Sequence, residues 1–170
     1  MDILMLAGNS LNNKVWIEQV AEYLKPYCGE IRIQNYKHWE TGEKMIDLDY
    51  EFGELSKTVQ GMNEYVIFAK SAGTILASKG IAAGVLNPTS SLFCGFALGM
   101  AKSANYPIEE WLQKFKTPTT FIQNTHDPVL GFHDLELFLE LLKFPKKTIE
   151  TPGETHDYMD FDLIKSLLFG

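Results

Sequence analysis

Arginine is nearly absent from this chain. Of 15 basic residues only Arg32 is an arginine, against 22 acidic residues and a net charge of −7. A nucleic-acid groove needs clustered positive charge, usually rich in arginine for bidentate phosphate and base contacts, so no nucleic-acid partner is expected. Cysteine is scarce as well: Cys28 and Cys94 are the only two, too few for a disulfide framework. Cys94 lies in the apolar run Leu92 to Ala97 and reads as a buried thiol. Reduced thiols place the expected compartment in the cytoplasm. Long apolar runs are missing too. The longest mostly apolar stretch, Gly80 to Ala101, is broken by Asn87-Pro88-Thr89-Ser90-Ser91, so no membrane span is expected. The opening MDILMLAGNS has an acid at position 2 and no basic stretch, which does not read as a signal peptide. Internal repeats, low-complexity tracts and linkers are also lacking.

What is present is an ordinary globular balance. The 170 residues are 45% apolar and 22% charged, which excludes a disordered chain and predicts a single domain over 1–170. Short apolar runs alternate with helix-period segments. Ile3 to Ala7, Ile31 to Ile33, Tyr65 to Ala69, Leu92 to Phe96, Thr119 to Ile122 and Lys147 to Ile149 read as strands. Between them, Val15-Trp16-Val20-Tyr23-Leu24 and Leu48-Phe52-Leu55-Val59-Met62 keep helical spacing. So do Ser71 to Ala83, Ile108-Trp111-Leu112-Phe115, Leu135-Phe138-Leu139-Leu142 and the closing Asp160 to Phe169. Strict alternation implies a parallel sheet with right-handed crossovers and helices on both faces. The expected fold is a three-layer α/β/α sandwich with six parallel strands in the order 2-1-3-4-5-6. In such sheets the chemistry lies at the carboxyl ends of the strands, so the residues after each strand carry the functional reading.

After the first strand comes Gly8-Asn9-Ser10. One glycine does not make the G-x-G-x-x-G of a dinucleotide site. The segment reads as a turn with Asn9 or Asn12 as helix cap, or as backbone N–H groups facing an anion. After the third strand comes Ala69-Lys70-Ser71-Ala72-Gly73. A serine that presents its Oγ needs a sharp strand-to-helix turn, and the residues two before and two after it must then be small. Ala69 and Gly73 satisfy that, and the Ala72 N–H at the helix start can face an oxyanion. The competing reading is a plain serine N-cap. The fifth strand leads to His126-Asp127-Pro128 and the sixth to Gly153-Glu154-Thr155-His156-Asp157. The three loops deliver Ser71, Asp127 and His156, in that order, to one edge of the sheet. That supplies a nucleophile, a base to take its proton, and a carboxylate to orient the base.

On those residues the chain resembles the α/β-hydrolase superfamily, in a minimal form. Within it the chain is similar to the small lidless serine hydrolases related to the retinoblastoma-binding-protein hydrolase. The shared features are Gly-Asn after the first strand, a tryptophan early in the next helix, the nucleophile elbow, Asp-Pro after the fifth strand and a late histidine. The departures are Ala69 for the first elbow glycine, Lys70 where histidine is common, and Ala7-Gly8 where His-Gly is usual. The resemblance implies oxyanion-hole amides from Asn9 and Ala72 and a Ser71-Asp127-His156 catalytic triad. It also implies hydrolysis of an ester, thioester or amide through an acyl-enzyme.

No cofactor and no metal are needed for this chemistry, and the partner is a small acyl substrate. Gly8, Lys70, Trp39, Met100 and Tyr106 are the expected substrate contacts. Met100 and Tyr106 come from Leu98 to Tyr106, the nine residues left for a cap, and Trp39 from the loop Tyr36 to Asp47. Other residues read as bland: His38 as surface, Asp134 as a helix cap. His-Asp dipeptides at 126–127, 133–134 and 156–157 raise a metal phosphohydrolase, but that fold is all-helical. A catalytically silent binding module on the same fold and a flavodoxin-like ligand-binding domain are the alternatives from other classes.

Overall fold

A computed structural model describes residues 1–170. Six strands form one sheet: β1 (Asp2–Leu6), β2 (Ile31–Ile33), β3 (Tyr65–Lys70), β4 (Ser90–Cys94), β5 (Thr119–Asn124) and β6 (Lys146–Thr151). Their order is β2-β1-β3-β4-β5-β6, and every pairing is parallel. The helices are α1 (Leu11–Leu24), α2 (His38–Thr41), α3 (Leu48–Thr58), α4 (Ala72–Ala82), α5 (Leu98–Ser103), α6 (Ile108–Gln113), α7 (Phe132–Glu140) and α8 (Phe161–Phe169).

The burial of each strand follows from its place in the sheet. β3 lies in the middle, with layers on both faces, and all six of its residues are buried; hence its unbroken YVIFA run. β6 is an edge strand, alternates between half-buried and exposed, and carries Lys146, Lys147 and Glu150. Charge on an edge strand discourages pairing with another chain. The crossover from β1 runs outward to β2, and all later crossovers run the other way. Right-handedness therefore puts α1 on one face and α3, α4, α6 and α7 on the other. The last helix, α8, returns to pack against α1.

The reversal of direction falls between β1 and β3, which is the switch point where ligands bind in open parallel sheets. The Gly8-Asn9-Ser10 loop and Ser71 both leave the sheet there. α4 starts in direct contact with that loop. A Cβ on Gly73 would stand 2.1 Å from the Leu6 carbonyl oxygen and 2.6 Å from that of Ala7. Only glycine permits this approach.

Two short helices escape the sequence pattern. α2 spans residues read as loop, and α5 occupies most of the segment read as a cap. Neither is long enough to show a helical period. No helix of the structure is long and apolar enough to cross a membrane.

Candidate active site

Ser71 joins β3 to α4 with φ 51° and ψ −122°. A positive φ costs a residue with a Cβ about 1–3 kcal/mol and persists only where the surroundings enforce it. Its N–H donates to the Cys94 carbonyl at 3.0 Å, and Gly73 locks the other side of the turn. Ser71 occupies the N-cap position of α4, yet its side chain makes no capping hydrogen bond. The plain N-cap reading therefore does not describe this serine.

Asp127 follows β5. It is 4% exposed, and its carboxylate accepts three donors. The Val129 N–H reaches Oδ1 at 2.8 Å, the local turn an Asp makes two residues ahead. The Tyr158 hydroxyl donates to Oδ2 at 2.6 Å, and His156 Nδ1 donates to Oδ2 at 2.7 Å. Burial alone pushes the Asp127 carboxyl up. The hydrogen bonds from His156, Tyr158 and Val129 outweigh it, and the net position is below the usual carboxylate value.

His156 follows β6. With Nδ1 engaged by Asp127, its Nε2 is buried and has no hydrogen-bond partner in the protein. The ring lies on Gly95: a Cβ there would sit 2.6 Å from His156 Cε1 and 2.8 Å from Tyr158 Cε2. Gly95 also has φ 60°. Ser71 and His156 both rest on the Cys94–Gly95 segment, the first bonded to the Cys94 carbonyl and the second packed on Gly95, with no hydrogen bond between Ser71 Oγ and His156 Nε2.

The loop after β6 is held by Asn124 and Trp16. Asn124 Nδ2 donates to the carbonyls of Thr155 (2.9 Å) and Asp157 (3.0 Å), on either side of His156. Asn124 Oδ1 accepts from Thr151 Oγ1 at 2.7 Å. Trp16 Nε1 donates to the Tyr158 carbonyl at 3.1 Å. Burial first, then the bond to Asp127, pushes the Tyr158 hydroxyl far up, so it remains a donor. Gly95, Asn124 and Tyr158 were not among the expected site residues. A tyrosine two places after the histidine was the one visible signal.

Several expectations are corrected. His38 is 4% exposed rather than surface, and its Nε2–H donates to the Asn9 carbonyl at 2.5 Å. Asn9 caps no helix. Its side chain reaches the Lys44 carbonyl (2.8 Å) and the Ile46 N–H (2.7 Å), while Ser10 takes the N-cap position of α1 without a side-chain bond. Asp134 sits in the first turn of α7, where Gly131 is the N-cap and no side chain caps.

Lys70, expected to touch substrate, is 4% exposed. Its Nζ donates to Asn13 Oδ1 at 2.7 Å and lies 4.8 Å from the centre of the Trp16 ring. A β-strand alternates its side chains, which sends Lys70 away from the face that Ser71 opens onto. Desolvation there pulls its ammonium below the usual lysine value.

Of the other expected contacts, Gly8 is buried against Asn13, and Trp39 donates from Nε1 to the Asn9 carbonyl at 3.1 Å. Met100 packs on the core, and Tyr106 stacks on Trp111 at 5.4 Å. His126, His133 and Asp157 are exposed. A cavity of about 670 Å³ lined by Ala82, Leu86, Asn87 and Thr117 lies at the amino ends of the strands, far from this chemistry.

No family model and no curated sequence matches the chain. Solved structures match it in fold. An uncharacterized protein from Bacillus cereus aligns with TM-score 0.73 and 16% identity, over 98% of this chain and 58% of that one. The present chain thus spans little more than half of that protein. Dienelactone hydrolase from Anabaena variabilis aligns with TM-score 0.72 and 18% identity, over 98% of this chain and 82% of the other. An esterase from Exiguobacterium antarcticum aligns with TM-score 0.72 and 12% identity, over 100% of this chain and 92% of the other. At these identities the likeness establishes the fold.

Proposed function

Taking the α/β-hydrolase fold as premise, we propose that the chain is a serine hydrolase. It cleaves a small carboxylic ester, thioester or amide through an acyl-enzyme intermediate. The observation that carries this reading is Ser71, held at positive φ with a side chain that caps nothing, on the same Cys94–Gly95 segment that carries a histidine whose Nδ1 is committed to Asp127. A strained serine whose hydroxyl caps nothing and an imidazole oriented by a carboxylate are the parts that nucleophilic catalysis requires. Relatives in fold that are named an esterase and a dienelactone hydrolase support an ester-type substrate.

The roles follow. Asp127 fixes the tautomer with the proton on Nδ1, leaving the Nε2 lone pair for Ser71. Ser71 Oγ attacks the acyl carbon while Nε2 takes its proton. The oxyanion accepts hydrogen bonds from the Asn9 and Ala72 amides. Ala72 is the first residue of α4, so its N–H has no acceptor within the helix. The imidazolium then gives its proton to the leaving oxygen, sulfur or nitrogen as that bond breaks. Water then enters, and Nε2 takes its proton as the oxygen adds to the acyl carbon. The acyl–Oγ bond breaks as Nε2 returns that proton to Oγ, which releases the carboxylic acid and restores Ser71 and neutral His156.

Access is short and open in this reading. Only α5 and the turn to Tyr106 lie between β4 and α6. Burial of CH₂ groups, at about 0.8 kcal/mol each, is what makes long acyl chains bind, so acetate and butyrate esters are preferred over palmitate.

A fluorophosphonate probe tests the proposal. Labelling mapped to Ser71 and lost in Ser71→Ala is expected. A folded wild-type protein that neither labels nor hydrolyses p-nitrophenyl acetate overturns it.

A further inference from the structure

The proposed oxyanion donor Asn9 N–H belongs to the peptide between Gly8 and Asn9, and the peptides on both sides of it are gripped by one distant segment. The Tyr36 hydroxyl donates to the Ala7 carbonyl at 2.9 Å. His38 Nε2–H and Trp39 Nε1–H both donate to the Asn9 carbonyl, at 2.5 and 3.1 Å. The Asn9 side chain is bonded in turn to the Lys44 carbonyl and the Ile46 N–H. Asn9 N–H itself donates to no carbonyl in the protein.

The gripping segment is itself fixed. Tyr36 and Trp39 rings lie 4.6 Å apart, with His38 against both. The buried Glu51 carboxylate accepts from the Lys37 N–H at 2.7 Å and from Gln34 Nε2 at 2.9 Å. His38 buries its remaining nitrogen, Nδ1, without any partner. An unpaired buried polar atom is costly, and the ring's one hydrogen bond is the one to Asn9.

We propose that Tyr36, His38 and Trp39 are positioning residues that clamp the peptides flanking Gly8–Asn9 and so hold the Asn9 N–H at the oxyanion. This rests on the serine-hydrolase reading above. The clamp acts where a donor is worth most: removing one oxyanion donor outright costs about 10²–10³ in turnover, and loosening it costs part of that.

The experiment compares wild type with Trp39→Phe, His38→Leu and His38→Gln. Trp39→Phe keeps an aromatic ring and deletes the donor; His38→Gln offers a side-chain N–H to the same carbonyl. Three quantities are read: kcat and KM for p-nitrophenyl acetate, the rate of fluorophosphonate labelling, and the inhibition constant of a trifluoromethyl ketone. That ketone forms a tetrahedral oxyanion adduct.

The expected result is a kcat lower by about 10-fold in Trp39→Phe and about 10–100-fold in His38→Leu, with KM within about 3-fold. The ketone should weaken in parallel, and His38→Gln should recover most of the loss. A purely structural role would not track the ketone. Should His38→Leu fail to fold, Trp39→Phe and His38→Gln decide. Variants that label and turn over like a wild type labelled at Ser71 overturn the clamp alone. A wild type with no Ser71-dependent turnover overturns the hydrolase reading and the clamp with it.

Discussion

The two sides of the site are built by different means. On the side of β3 and α4, Ser71 is set mainly by backbone: a positive φ, a bond to the Cys94 carbonyl, and glycines at 73 and 95 that let main chains and the imidazole close in. One side-chain bond assists it, and that one is local: Thr74 Oγ1 donates to the Ser71 carbonyl at 2.6 Å, three residues away. On the side of β1, the Asn9 peptide is set by side chains reaching across about thirty residues. Steric constraint leaves a signature in consecutive residues, whereas a long-range hydrogen bond leaves none. The first side is rigid because nothing else fits. The second is rigid only while each donor is in place, so it should fail gradually.

The largest expected effect breaks the backbone side at its one reactive atom. Ser71→Ala keeps the turn and removes the hydroxyl; turnover should fall on the order of 10⁶-fold, the loss seen for a serine-protease nucleophile, with the thermal midpoint little changed. Next comes the orienting carboxylate. Asp127→Asn should cost roughly 10⁴-fold, whereas Asp157→Asn, at an exposed residue, should be nearly silent in the same steady-state assay. The reverse order would mean that the histidine is served by the wrong neighbour.

Gly95→Ala tests the steric argument itself. Its φ of 60° alone should cost about 1–3 kcal/mol in a denaturant melt. The added methyl, 2.6 Å from His156 Cε1, must displace the imidazole. A displacement near 1 Å is worth about 10²-fold in rate. A fully active, fully stable Gly95→Ala would remove the distinction between the two sides.

The smallest effect is the one that pH resolves. The Asp127 carboxyl lies below its usual value because the ionised form collects donors from His156, Tyr158 and Val129. That stabilisation is fully present above the ordinary carboxylate value and is lost as pH falls through the lowered one. Tyr158→Phe deletes one donor, so the value climbs back toward normal. The acid-unfolding midpoint, followed by circular dichroism, should therefore move to higher pH in the variant. Its activity at neutral pH should fall only a few-fold. An unchanged or lower midpoint would contradict the assigned role of the tyrosine.

The same division explains what could be read in advance. β1, β3 and β4 are apolar runs because layers cover both faces, and α4 is rich in small residues because it lies close on the sheet; both marks are local. Strand order followed from them and from the handedness of crossovers, the Ser71 turn from the small residues Ala69 and Gly73, and the Asp127–His156 pairing from the Ser-Asp-His order at the strand ends. His38 looked like surface because its acceptor lies 29 residues away, and Asn9 looked like a cap because its true partners lie 35 to 37 residues away. Lys70 looked available to substrate because its position beside Ser71 said nothing of Trp16 and Asn13 beneath it. Tyr158 and Asn124 hold their partners across 31 to 34 residues, again without a local mark.

The bond from Trp16 to the Tyr158 carbonyl spans 142 positions, and it has a consequence in time. During synthesis, β1, β3 and β4 emerge, and Ser71 with them, well before Asp127 and His156 leave the ribosome. Domains generally fold as units as the chain grows, and contacts of such long separation form late because loop closure must come first. The nascent protein therefore carries Ser71 long before it carries His156, the base proposed to activate it. On the serine-hydrolase proposal, chemistry would be the last property the polypeptide acquires, switched on when the loop after β6 docks on Gly95 and the first helix grips it from behind.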